Sequence, residues 1–290
     1  MEVRSVSPEF VGEVHGLNLT KPISDSNFAD IDTAIAHFGV LVFPGQDLSD
    51  AQQIAFSQRF GEIENAHGGN PTQKKKRLNA QINDVSNLNT DGTPLARDDR
   101  RRAFNLGNHL WHTDSSFRAV PAKYSLLSAR RIPATGGNTE FADMRAAYDA
   151  LDPAMKSQIE PLICEHSLLH SRARLGFTKW TAEEIEMMKP VRQALVRQHP
   201  ATGRKSIYIS SHAGHVVGWT EAESKLFLSD LTEIATQRAF VYTHEWTVND
   251  LVMWDNRCVL HRARSYEPGV VRDMRRTTIA GDEATVAQAA

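Results

Sequence analysis

The chain has 290 residues, 41% of them hydrophobic and 23% charged, with 33 basic against 35 acidic side chains and a formal charge of -2. This is enough chain to bury a core, the balance is that of a soluble globular protein, and near neutrality argues against a polyanion such as nucleic acid as the partner. Two cysteines, Cys164 and Cys258, cannot build a disulfide framework, Met1-Glu2-Val3-Arg4 lacks the apolar run of a signal peptide, and no stretch approaches the roughly 20 apolar residues of a membrane span, so a cytoplasmic protein without membrane contact is expected.

Short apolar runs around Gly12 and Gly16 predict small strands at the start of the chain. Phe28, Ile31, Ile35 and Phe38 then recur at helical spacing behind Ser24 and Asp25, and Gly39 ends the pattern. Val40-Leu41-Val42-Phe43 reads as a buried strand stopped by Pro44-Gly45, followed by a helix from near Ser49 to Gly61. From Asn65 to Arg102 the regularity largely disappears around His67-Gly68-Gly69, Lys74-Lys75-Lys76-Arg77 and a second charged cluster from Arg97. An irregular segment of this length is functional or disordered; a mobile, lid-like segment over about 65–107 is expected, with the basic run either solvated or facing an anionic substrate.

Downstream, Tyr124 to Ala129 is a predicted strand, and the turn Gly136-Gly137 leads into another at Thr139-Glu140-Phe141. Asp143 and Asp152-Pro153 are helix starts, residues 180–190 read as helical, Ser206 to Ile209 as a strand, and Thr220 with Glu223 forms a capping box before a helix through Ile234. Phe240 to Trp246 and Leu251 to Trp254, joined through Asn249-Asp250, read as a β-hairpin. Cys258 to His261 returns, and a last strand runs through Thr277, Thr278 and Ile279. No linker interrupts this order. The expected fold is a single domain over 1–290, mainly β with helical insertions: a double-stranded β-helix, or jelly roll, flanked by α-helices.

Chemistry concentrates in Leu110-Trp111-His112-Thr113-Asp114-Ser115. On a strand, His112 and Asp114 leave the same face. An imidazole and a carboxylate so placed form two thirds of the facial triad that holds Fe(II) in oxygen-activating enzymes. His261, after two turns and 149 residues beyond His112, is the candidate third ligand; the alternative is a histidine hydrogen-bonded in the core. Arg272 and Arg276 share a face by the same periodicity. Turned inward they need anions, and a pocket holding two carboxylates near a metal accounts for both; turned outward they are simply solvated.

Six stretches, VLVFPGQDLSDAQQIAFSQRFG, GNHLWHTDSSF, GGNTEFADMRAAYDAL, HPATGRK, DLVMWDNRCVLHRA and VRDMRRTTIAG, together make the chain resemble the Fe(II)/2-oxoglutarate-dependent dioxygenases of the taurine dioxygenase family, and more closely their aryloxyalkanoate branch, from about Val3 to Gly281. The resemblance implies Fe(II) on His112, Asp114 and His261, with 2-oxoglutarate and O2 as co-substrates. It implies that Arg272, eleven residues beyond His261, holds the distal carboxylate of 2-oxoglutarate together with Thr139, with Asn108 beside the co-substrate. Arg276 corresponds to the position that grips the acid group of the prime substrate, and His199 and His212 to histidines near that substrate. The implied reaction is hydroxylation of a small aryloxyalkanoic acid, such as 2,4-dichlorophenoxyacetate, next to the ether oxygen, with collapse to a phenol and glyoxylate beside succinate and CO2. A sulfonate, a sulfate ester or a natural aromatic carboxylic acid is the alternative substrate, a zinc hydrolase the alternative chemistry and a jelly-roll module binding an acidic ligand the non-enzymatic alternative. A homo-oligomer is expected from the same resemblance.

Overall fold

The computed structural model of the protein describes residues 1–7, 9–66 and 77–288. The larger sheet uses β1 (Glu2–Ser7), β2 (Val11–His15), β3 (Val40–Phe43), β4 (Asn83–Ser86) and β5 (Tyr124–Arg131). A smaller sheet is nucleated by β6 (Thr139–Asp143), while β7 (Ile163–His166), β8 (Val191–Ala194), β9 (Val196–Gln198), β10 (Lys205–Ile207) and β11 (Ala213–Val216) form two peripheral sheets. The last strands are β12 (Val241–His244), β13 (Leu251–Asp255), β14 (Val259–Ala263) and β15 (Asp273–Thr278). The larger sheet runs β1-β2-β3-β13-β5-β15-β4, and the smaller one β12-β6-β14. This is the expected jelly-roll core with helices outside it.

Alternation within the strands explains the layering. Val40, Val42, Val252, Trp254 and Met274 of the larger sheet pack against Phe141 and Val259 of the smaller one. Their neighbours Leu41, Phe43, Leu251 and Met253 point the other way, onto Ile31 and Ile35 of α1 (Asp25–Phe38) and Phe56 of α2 (Asp50–Ser57). On the far side, Ala142 and Leu260 meet Ala147 of α4 (Met144–Asp149) and Leu228 and Leu231 of α8 (Glu221–Ala235). Because β3 and β13 are covered on both faces, Val40 to Phe43 and Leu251 to Trp254 are continuously apolar, whereas β5, β6 and β15 carry polar residues as well.

Two expectations are corrected. The segments ending at His244 and starting at Leu251 are not a hairpin: β12 pairs with β6, whereas β13 lies between β3 and β5. Asn249 does turn the chain, with φ at 72°, but it carries it from one sheet to the other. The segment expected to be irregular contains β4, an edge strand on β15, and α3 (Arg100–Asn105), capped by Asp99. Residues 67–76, including His67-Gly68-Gly69 and Lys74-Lys75-Lys76, lie outside the described residues. Arg77, which ends the basic run, pairs with Asp84 at 2.7 Å and Asp273 at 2.8 Å, on the sheet face away from the sandwich interior.

Arg145 ties the helical layer to the sheets. It is fully buried and donates to the carbonyls of Ala36, His37 and Phe38 at the end of α1, to that of Glu9, and to the Asp143 carboxylate. Gly39 allows this twice over: its φ of 83° closes α1, and a Cβ there would press to 3.0 Å from the guanidinium. Arg145→Met strands Asp143 and the α1 carbonyls, so a loss of about 3–5 kcal/mol in urea unfolding is expected. A loss below about 1 kcal/mol would contradict this role.

Candidate metal and acid-binding site

Period two places His261 on the same face of β14 as Val259, inside the sandwich, and Arg272, Met274, Arg276 and Thr278 likewise line the inner face around β15. His112 reaches this mouth through a single antiparallel bridge to His261, its N–H donating to the His261 carbonyl at 3.0 Å and its own carbonyl accepting from the His261 N–H at 2.8 Å. The expected strand stops there. The Asp114 N–H goes to the Asn256 side-chain oxygen at 3.1 Å, and Ser115 turns the chain with φ at 55°. Asn256 thus supplies what a strand partner would.

The ligand atoms of His112, Asp114 and His261 lie within 4.8 Å of one another. Nε2 of His112 is 4.0 Å from one Asp114 oxygen and Nε2 of His261 is 3.8 Å from the other, too far for hydrogen bonds and close enough for one shared ion. The Nδ1–H of His112 donates to the Leu110 carbonyl at 2.8 Å, which leaves its Nε2 lone pair facing the centre of the trio. Burial lowers the His112 pKa to about 4 and that of His261 well below its ordinary value, so both imidazoles are neutral at neutral pH. Burial pushes the Asp114 carboxyl up, but Arg276 and the other donors outweigh it and hold the group below its ordinary value. Arg276 Nη1 donates to Asp114 at 2.6 Å and Ser125 Oγ at 2.7 Å, with Asn256 Nδ2 donating to Ser125 at 3.0 Å. Two neutral nitrogens and one fixed carboxylate suit a divalent transition metal with open positions.

The two arginines differ in their surroundings. Arg272 is buried, and among the described residues its guanidinium donates only to the Gly137 carbonyl, at 3.2 and 3.3 Å, and pairs with no carboxylate. It lines a depression with Tyr266, His109 and Asn108, and Asn108 also lines the adjoining main cavity beside His112 and Asp114. Thr139, opposite Ala263 in the smaller sheet, accepts from the Trp246 indole at 3.0 Å. Arg276 lines the main cavity, and its Nε is buried without a hydrogen-bond partner among the described residues.

His212 also lines the main cavity, edge-on to His112 and to Phe117, with ring centroids 6.1 and 5.0 Å apart, and its Nδ1 contacts Ser171. His199 does not line it. Its Nε2 lies 2.9 Å from Asp255, whose carboxylate is also held by Arg257, so this nitrogen is engaged in the core beneath the turn between β13 and β14, while Nδ1 is buried with no hydrogen-bond partner among the described residues. Asp255 and Cys258 with His199 form a second cluster of ligand-type atoms, but the ion pair with Arg257 already occupies its carboxylate. Sequence reading missed Ser125, Asn256, Glu64 and Arg172. Asn256 alone carried a signal, as a polar turn residue directly after β13; Ser125 looks like any small residue of a buried strand, and Glu64, which accepts from Ser115 at 2.7 Å, lies 51 residues from its partner.

Comparison with known proteins gives a consistent picture. The family model described as taurine catabolism dioxygenase, TauD, TfdA family, matches residues 2–278. The chain is 45% identical to the alpha-ketoglutarate-dependent 2,4-dichlorophenoxyacetate dioxygenase of Cupriavidus pinatubonensis, over 95% of this chain and 96% of that one. It is 38% identical to the (S)-phenoxypropionate/alpha-ketoglutarate-dioxygenase of Delftia acidovorans, over 92% and 91% of the two chains. A solved structure of AAD-2 in complex with Mn(II) and N-oxalylglycine superposes with a TM-score of 0.93 at 54% identity, covering 99% of this chain and 100% of that one.

Asn256→Ala removes the side chain that receives the Asp114 N–H and the Trp254 indole. A 10–100-fold weaker affinity for Mn(II), of the order found when groups that orient metal ligands are removed, is expected in calorimetric titration. Unchanged affinity would show that Asp114 is held without it.

Proposed function

We propose, since this chain belongs to the taurine catabolism dioxygenase TauD, TfdA family of 2-oxoglutarate-dependent dioxygenases, that it hydroxylates a small aryloxyalkanoic acid with Fe(II) held by His112, Asp114 and His261. The observation that carries this reading is the convergence of two neutral imidazoles and an ionised carboxylate beside two inward-facing arginines. Both curated relatives described above are named for aryloxy acids, at 45% and 38% identity. When bound, the iron supplies activation of O2, with 2-oxoglutarate as the electron donor.

The chain's own residues then have separable tasks. Arg272, buried without an anionic partner among the described residues, takes the distal carboxylate of 2-oxoglutarate together with Asn108, which lines the same depression, and Thr139, two residues beyond the Gly137 that Arg272 holds. Arg276 keeps Asp114 ionised and aimed, and its unpartnered Nε faces the acid group of the aromatic substrate. His212 stays neutral and, with Phe117, borders the space for the ring. Fixing the acid end and the ring sets the carbon beside the ether oxygen toward the trio of ligands. One oxygen atom enters that C–H bond and the other goes to succinate, formed with CO2 from 2-oxoglutarate; the resulting hemiacetal breaks its C–O bond to give phenol and glyoxylate.

The test is oxygen uptake by the Fe(II)-loaded protein with 2-oxoglutarate against aryloxyacetates, 2-aryloxypropionates, cinnamates and sulfonates. Stimulation by the aryloxy acids, with phenol and succinate formed in equal amounts, is expected. A preference for sulfonates, or uptake independent of 2-oxoglutarate, would overturn the reading. Arg272→Ala should raise the 2-oxoglutarate requirement about 30-fold or more, as losing a charge-assisted pair in a largely buried site does.

A further inference from the structure

The wall of the main cavity also holds Arg172, which the reading above leaves unused. Arg172 lies on α6 (Leu168–Ala173), is only 5% exposed, and has no carboxylate in ion-pair distance among the described residues. Its Nη1 donates to Ser171 Oγ at 3.0 Å, its Nε is buried with no partner, and its guanidinium lies 4.3 Å from the centre of the Phe104 ring. Burial lowers its pKa to about 10 with no neighbouring anion to offset the effect, so it is still a cation at neutral pH. A buried guanidinium without an anion is costly, and such a group calls for a ligand of opposite charge.

The surrounding chain is shaped to admit it. A Cβ on Gly107 would come within 2.3 Å of the Arg172 Cζ, so the guanidinium occupies space that only glycine leaves open. Phe104, Phe117, Leu168 and Met188 line the same cavity, which opens onto His112 and Asp114. Arg276 has already given Nη1 to Asp114; gripping a carboxylate with both of its terminal nitrogens competes with that bond. Arg172 Nη1 is engaged by the neutral Ser171 hydroxyl and, among the described residues, by no carboxylate, so an acid group meets a weaker competitor there. We infer that Arg172 is a second binding residue for the acid group of the aromatic substrate, holding its carboxylate by charge-assisted hydrogen bonds while the neighbouring Phe and Met side chains cover the ring.

This assignment rests on the aryloxy-acid reading, and anaerobic calorimetry on the Fe(II)- and 2-oxoglutarate-loaded protein separates the two. Phenoxyacetate and its uncharged analogue 2-phenoxyethanol are titrated into wild type, Arg172→Met and Arg172→Lys. The expected result is at least a 10-fold weaker Kd for phenoxyacetate in Arg172→Met, partial recovery in Arg172→Lys, and 2-phenoxyethanol and 2-oxoglutarate affinities changed by less than about twofold. An unchanged phenoxyacetate Kd, or equal losses for acid and alcohol, would overturn the role of Arg172 and leave the substrate reading standing. Failure of wild type to bind phenoxyacetate would sink the substrate reading and this role with it. Should Arg172→Met not fold, Gly107→Ala, which displaces the guanidinium, carries the same comparison.

Discussion

Keeping one buried carboxylate ionised is the constraint around which this protein is built. Asp114 is 4% exposed between two imidazoles that burial keeps neutral, so neither can supply the positive charge it requires. Arg276 supplies it from β15, Ser125 adds a hydrogen bond from β5, and Asn256 orients both Ser125 and the Asp114 backbone from the turn after β13. Each of these groups comes from a different part of the chain. The sandwich must therefore close before the carboxylate is stabilised, which couples the fold to the site directly.

The same logic extends outward from the trio. Asp255, one residue before Asn256, is fixed by Arg257 and His199, and burial pushing its carboxyl up is outweighed by these partners, so that its pKa falls well below the ordinary range. The turn joining the two sheets is consequently held by an ion-pair network on one side and by the Asn256 hydrogen bonds on the other. A loop fixed on both sides positions a ligand strand far better than an exposed turn could. Beside the same turn, where Gly39 abuts both Val259 and the Arg145 guanidinium, Arg145 performs a comparable task for α1.

Local pattern made much of this legible from sequence. The α1 period with Ser24 and Gly39, the capping box at Thr220 and the apolar runs of β3 and β13 depend on neighbours a few residues apart. The pairing of β12 with β6 rather than β13 depends on which sheet each strand joins, and a turn residue such as Asn249 bends the chain identically in either case. The HxD pair was visible, although its strand ends at His112 because Asn256, 142 residues from Asp114, replaces the missing partner. His199 sits in a matching motif yet is absorbed by Asp255, a contact no spacing rule anticipates. Arg172 was invisible for the opposite reason: what distinguishes it is the absence of an anionic partner among the described residues, and absence has no sequence pattern.

The central claim is that Asp114, His112 and His261 form the divalent-metal site of this chain. Counting tightly bound Mn(II) by the loss of the free-ion electron paramagnetic resonance signal, in wild type, His261→Ala and Cys258→Ser, tests it most directly. The account predicts one ion per chain in wild type and in Cys258→Ser, and none in folded His261→Ala. Retention of the ion by His261→Ala, or its loss in folded Cys258→Ser, would contradict the account and move the site to the cluster of His199, Asp255 and Cys258.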